Sequence, residues 1–398
     1  MDKILFQEKK DCCGCEACAN ICPTNIITMK QDSEGFYYPK IIGENKCIGC
    51  NLCEKVCPIK NVTYKNDFKE NAYAGYSNDD DKIKESSSGG LATEISEIFI
   101  KNGGIVYGVR YDECFTSAVY DRAYTIDELN NFKTSKYIQS RKNKVYQNIK
   151  NDLNDKKNVL FIGLPCDCNA LQGFLQKSYD KLYICPLICH GVTSPNVHSQ
   201  YCEMKNVDKK HINFFSVRFK PYGWKPYFIK MVCEDKVYTE QFDKSDYGKA
   251  FLYLKRPSCN SCKIKRSAIN SDLTIGDFHL SASCKGKVKP YNVNGVSSAI
   301  VHTDKGEELI SKLINFNISK IPLKEALYSE AYLKAIPKKS NREEFGKVFA
   351  TEGLQSACQL KSVLKIEKNE KRIRSIKSKC AKIKQLLIKL KDIKDRGL

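Results

Sequence analysis

Eight cysteines near the start of the chain repeat one spacing twice. Cys12, Cys15, Cys18 and Cys22 lead into Pro23, and Cys47, Cys50, Cys53 and Cys57 lead into Pro58. Both runs read C-x2-C-x2-C-x3-C-P. The first three thiols of such a run hold one [4Fe–4S] cluster, and the fourth reaches across to the neighbouring cluster. The expected ligand sets are therefore Cys12, Cys15, Cys18 and Cys57 for one cluster, and Cys47, Cys50, Cys53 and Cys22 for the other. A tetrahedral zinc site wants two short pairs and suits three evenly spaced cysteines less well. A disulfide framework belongs to small secreted chains.

The doubled run is the bacterial ferredoxin pattern. Between its halves, FYYPKIIGENK (36–46) reads as a short alternating strand and turn that can cover a small cluster-bearing core. Cys13 falls outside the repeat and is expected as a free thiol packed near the cluster.

Composition narrows the setting. The chain opens MDKILFQEKKD, without the apolar stretch of a secretion signal, and no apolar run approaches a membrane span. With 21 cysteines, thiols are kept for metal, and a cytoplasmic, reducing compartment is expected. The net charge of +20 suggests nucleic acid at first. Residues 361–398, however, hold 14 Lys+Arg against 4 Asp+Glu, so half of the excess sits in the tail. No zinc-finger spacing or RNA-binding aromatic signature accompanies it, so nucleic acid is not the expected partner.

Beyond the cysteine runs, residues 61–85 are polar and read as a linker. ESSSGGLATEISEIFIKNGG (85–104) then leads Ser and Gly into an amphipathic helix with Leu91, Ile95, Ile98 and Phe99 on its apolar positions. Small residues at a helix start suit either an anion or a plain N-cap. Strand-like runs follow at 105–111, 159–163, 182–188, 214–219, 227–232, 273–278 and 298–303. Helical segments lie around 126–132, 142–154, 167–177 and 305–315. Strands alternating with helices predict an α/β body, and the turn at Glu234–Asp235 predicts a hairpin, hence a mixed sheet. Ligands in such sheets sit beyond the carboxyl ends of strands, where Cys166 (in GLPCD) and Cys189 (in LICHG) fall. Cys259 and Cys262 form a C-x2-C pair that cannot complete a site alone; with the two strand-end cysteines it makes four thiolates.

In order, SSGG, SKYIQS, LPC, ICHG, the C-x2-C pair and R-x4-SDLTIGD resemble the β-subunit family of coenzyme F-420 hydrogenases and dehydrogenases, over the chain up to about residue 350. The resemblance implies FAD beside a third [4Fe–4S] cluster held by Cys166, Cys189, Cys259 and Cys262. It implies that Ser88, Gly89 and Gly90 lie near the flavin phosphates, Lys136 and Tyr137 near the flavin, and Gly276 and Asp277 at the closing edge. Arg256 and Arg266 flank the C-x2-C pair and are expected to offset cluster charge or hold flavin phosphate. Leu164, Asp167 and His279-Leu280 depart from the family pattern on the expected flavin and substrate side, which leaves the substrate open.

The expected architecture is an α+β ferredoxin-like module (1–62), a linker (63–85), a larger α/β domain with a mixed sheet (86–350) and a basic amphipathic C-terminal helix (351–398). The expected function is that of an FAD-dependent, ferredoxin-linked reductase. Electrons from soluble ferredoxin or another carrier would pass through three clusters to FAD and an organic substrate. The alternative is an electron-transfer subunit without a substrate of its own. His190 is a candidate proton donor, although a histidine in such a loop also serves as a hydrogen-bond partner. In the tail, Ile373, Ile376, Cys380, Ile383, Leu387 and Leu390 form an a/d stripe for the chain's own core, a partner helix or an anionic membrane.

Overall fold

The computed structural model describes residues 5–62, 70–207, 211–265, 270–284, 286–369 and 372. Arg266 and the apolar stripe from Ile373 to Leu390 lie outside the described residues. Residues 361–369 are helical.

A hairpin of β1 (Ile27–Gln31) and β2 (Tyr37–Ile41) links the two cysteine runs. Each run ends in a short helix, Ala17–Ile21 or Leu52–Lys55. The following segment departs from the linker reading. It contains β3 (Asn71–Ser77) and a helix over Asp80–Glu85. The strand was hidden by its small residues, Ala72, Ala74 and Gly75. They are needed because β3 lies between two strands, and a side chain at Gly75 would collide with the backbone of Asn317.

The body contains a five-stranded mixed sheet built from β4 (Ile105–Tyr111), β5 (Ala118–Ala123), β6 (Ser140–Arg141), β7 (Val159–Gly163) and β8 (Leu182–Pro186). Its order is β6-β5-β4-β7-β8, with β4, β7 and β8 parallel and β5 antiparallel to β4. A three-stranded antiparallel sheet follows from β9 (Ile212–Phe219), β10 (Phe228–Cys233) and β11 (Lys236–Gln241), the last two joined by the expected turn at Glu234–Asp235. Finally β12 (Leu273–Asp277), β13 (Ser297–Val301) and β14 (Phe316–Ile321) join β3 in the order β12-β13-β3-β14. A bridge from Leu187 to Ile275 brings the end of β8 onto β12.

Helix Leu91–Lys101 buries Leu91, Ile95 and Phe99 at four-residue steps, as its periodicity predicts. Helix Val145–Asn154 buries Val145, Ile149 and Leu153, and helix Pro165–Leu175 follows β7 directly. The sequence runs did not reveal the helices Pro195–Met204, Asp246–Tyr253 and Arg342–Glu352, which surround the three-stranded sheet.

The cysteine runs are not a separate bead. Cys15, Ala17 and Val56 share one apolar cluster with Tyr107, Tyr146, Leu171 and Phe174 of the body. Phe36 and Tyr38 share another with Val197, Tyr201 and Phe345. Polar contacts fasten the same seam: Tyr146 Oη donates to the Cys15 carbonyl at 2.9 Å, and Arg342 clasps Glu34 with bonds of 2.7 and 2.6 Å.

Candidate functional site

The fold brings the repeated cysteines together as two crossed sets. Cys57 stands close enough to Cys12, Cys15 and Cys18 for their negative charges to oppose one another. Cys22 lines one cavity with Cys47, Cys50 and Cys53. The backbone repeats with the spacing. Gly14 and Gly49 hold φ of +70° and +69°, and Glu16 and Asn51 hold +62° and +57°. These left-handed turns direct successive thiols inward.

Among the described residues, no three Cys, His, Asp or Glu side chains converge as a single metal ion would need. A cubane holds its four thiolates at its corners, farther apart, and the crossed sets fit that chemistry.

The third set also converges. Cys166 opens the helix after β7, Cys189 lies just past β8, and β7 and β8 are parallel neighbours, so both fall at one sheet edge. Cys166, Cys189, Cys259 and Cys262 line a single cavity of about 110 Å³. Cys13, expected as a spare thiol, lines it too and stands beside both Cys15 and Cys166. Sequence spacing gave no sign of this position.

Charge around the cavity fits a negatively charged occupant. Lys255 is 4% exposed, and its Nζ has no hydrogen-bond partner among the described residues. It lies on the face of Phe251, 3.0 Å from the ring centre. Burial pushes its ammonium down to about 7, while Cys259 and Cys189 oppose that shift. Lys265 donates to the carbonyls of Cys189 and Ala331. An anionic group beside Cys189 and Cys259 would favour the charged form of Lys255.

The expected flavin residues are placed unevenly. The SSGG and SKY loops do meet: Ser87 Oγ lies 2.8 Å from Ser135 Oγ. Arg218, at the end of β9, binds this junction, donating to Tyr137 Oη at 2.9 Å, to the Ser87 carbonyl and to Asp277 at 2.9 Å. Trp224 Nε1 donates to the same carbonyl at 3.1 Å. His279 stacks on Trp224 and lies 3.9 Å from Asp277. Arg218 and Trp224 escaped the sequence reading. Their only signal is the dense mix of cations and aromatics in VRFKPYGWK.

Three of the expected positions make other contacts. The Gly89 and Leu91 N–H groups donate to Ser297 Oγ, on β13. Gly89 serves close packing, since an added Cβ would lie 2.5 Å from the Gly75 carbonyl oxygen. The Lys136 ammonium caps the carbonyls of Asn131, Lys133 and Thr134. Arg256 reaches from the C-x2-C turn, where its charge also acts on Cys259, to the first cysteine run, where it donates to the Cys12 carbonyl and sulfur.

The remaining positions are structurally explained. Asp167, on the cavity wall beside Cys166, forms a buried pair with Lys142 at 3.1 Å and accepts from Tyr120 Oη at 2.9 Å. Gly276 lies against Ile188, where a Cβ would crowd the Ile188 side chain. His190 sits edge-on to His279, and burial pushes it down to about 4, so it is neutral near pH 7.

Residues 156–322 match the family model for the C-terminal part of the coenzyme F420 hydrogenase/dehydrogenase beta subunit. Residues 11–61 match the 4Fe-4S dicluster domain. No curated protein matches the chain. Among solved structures, a chain of the xenon-derivatised F420-reducing [NiFe] hydrogenase complex from Methanosarcina barkeri is similar at 16% identity and a TM-score of 0.45, covering 69% of this chain and 91% of that one. At that score the likeness supports no statement about activity. The chain is therefore similar over residues 11–61 to a 4Fe-4S dicluster domain and over residues 156–322 to the C-terminal part of the coenzyme F420 hydrogenase/dehydrogenase beta subunit.

Proposed function

We propose that this protein is an iron–sulfur oxidoreductase that takes single electrons from an external carrier and delivers them, through a third cluster, to FAD and an organic substrate. Clusters of this type carry one electron at a time, and a flavin converts single electrons to pairs. The observation that supports the reading is the position of Cys13. It lines the third thiol cavity and lies two residues from Cys15, with which it interacts electrostatically, so the first ferredoxin-type set and the third set adjoin.

The chain's own residues then have distinct roles. Cys47 and Cys50 are exposed and suit the entry point for a soluble ferredoxin or similar carrier. Cys166, Cys189, Cys259 and Cys262 hold the third cluster, with Lys255 and Lys265 offsetting its charge. On the far side, Arg218, Tyr137, Trp224 and Asp277 shape the flavin site, and neutral His190 and His279 border the substrate side.

The domain division is 1–62 for the cluster-bearing module and a body running to about 350, with the segment from residue 70 incorporated in it. A second reading, an electron-transfer subunit without its own substrate, is favoured by the beta-subunit description of the matched family. No helix among the described residues is long and apolar enough to cross a membrane. A cytoplasmic setting is proposed with it.

Anaerobic purification of the full chain, followed by iron, sulfide and flavin analysis, tests the reading. Three cubanes require about 12 irons per chain, against about 8 for the ferredoxin-type pair alone. FAD should be bound in addition. About 8 irons, unchanged by Cys262→Ser, would rule out the third cluster. A full complement of clusters without flavin would favour the subunit reading.

A further inference from the structure

We infer that Arg256 sets the reduction potential of the inner cluster, the one assigned to Cys12, Cys15, Cys18 and Cys57, raising it above the value its thiolates alone would give. The inference rests on that ligand assignment. Arg256 comes from the body, beside Cys259, yet its guanidinium is wholly buried against the first cysteine run. It donates to the Cys12 carbonyl at 2.9 Å, Gln139 Oε1 at 3.0 Å, the Tyr37 carbonyl at 3.1 Å and Cys12 Sγ at 3.7 Å. Three of these acceptors are neutral and the fourth is a candidate ligand sulfur. Its face lies 4.1 Å from the Tyr38 ring centre.

The neighbouring charges cancel in pairs. Glu16 is held by Arg141 at 2.7 Å, and Asp167 by Lys142 at 3.1 Å. Arg256 thus faces the sulfurs as a net cation in a region from which water is excluded, where charge acts over a low dielectric. Reduction adds one electron and breaks no bond. A fixed cation, and a hydrogen bond to a ligand sulfur, both favour the more negative, reduced form. The cavity lined by Cys22, Cys47, Cys50 and Cys53 has no charged side chain on its walls. The approach depends on Gly14: an added Cβ there would collide with Gln139 and lie 3.0 Å from the Arg256 guanidinium carbon.

The test is an anaerobic redox titration of the full, cluster-loaded chain, poised with dithionite and viologen dyes and read by paramagnetic resonance. The inner signal is identified as the one lost in Cys57→Ser, and the outer as the one lost in Cys22→Ser. With Arg256→Gln the inner cluster should become at least tenfold harder to reduce, a fall of about 59 mV for one electron. The outer potential should not move, and Arg256→Lys should recover part of the shift. Gln139→Glu, which leaves Arg256 in place and sets a carboxylate against it, should lower the inner potential in the same direction. It serves as the reading should Arg256→Gln fail to retain iron. An inner potential unmoved in whichever of these variants retain their clusters would overturn the inference, as would equal shifts of both signals. Loss of the wrong signal in the two cysteine variants would instead contradict the ligand assignment.

Discussion

The two cysteine runs share a spacing, a turn geometry and a following proline, yet they occupy opposite environments. Gly14 and Gly49 have nearly the same φ, but Gly14 is pressed by Gln139 and Arg256 while Gly49 has no heavy atom within 4 Å of where a Cβ would stand. Glu16 is buried against Arg141, whereas Asn51, its counterpart, is exposed. Cys15 is buried; Cys50, at the same place in the repeat, is open to solvent. Local sequence determines the thiol geometry in both runs. The body determines which cluster becomes internal, by supplying Arg256, Arg141 and Tyr146 to one run only.

On the crossed ligand assignment that the spacing predicts, the largest effects should come from the fourth cysteines. Cys57→Ser should abolish the inner signal and Cys22→Ser the outer one, each with loss of about four irons, as paramagnetic resonance and iron analysis would read. Loss of the signal belonging to the mutated run would make the runs independent and dissolve the comparison.

Smaller changes probe the environments. Glu16→Gln strands Arg141 at the seam and should cost about 3 kcal/mol of stability, measured by anaerobic denaturant unfolding. Gly14→Ala adds a left-handed strain and a steric clash and should cost about 2–4 kcal/mol. Gly49→Ala carries the backbone strain alone, about 1 kcal/mol. Equal costs at the two glycines would mean that the body does not press on the first run.

The sequence makes the repeat legible because cluster ligation depends on local spacing. The strand-end positions of Cys166 and Cys189 are legible because they follow apolar runs that become β7 and β8. Other features depend on distant partners and leave no local mark. Arg256 reads as a neighbour of Cys259, which it is, and nothing local shows that it also reaches Cys12. Asp167 looks like a departure on the flavin side, but Lys142 neutralises it inside the body. The strand β3 looks like a linker because its neighbours in the sheet demand alanine and glycine where a strand usually shows branched side chains. Nothing local to Ser88–Gly90 shows that Ser297, over 200 residues away, accepts from the Gly89 and Leu91 N–H groups.

The inner thiols are enclosed by the body and the outer ones open at the surface, so the two proposed clusters should differ in access. Anaerobic treatment of the full chain with an iron chelator, sampled over time by paramagnetic resonance, tests it most directly. The account predicts that the signal absent from Cys22→Ser disappears first, while the one absent from Cys57→Ser persists. Simultaneous loss of both, or earlier loss of the signal absent from Cys57→Ser, would contradict it.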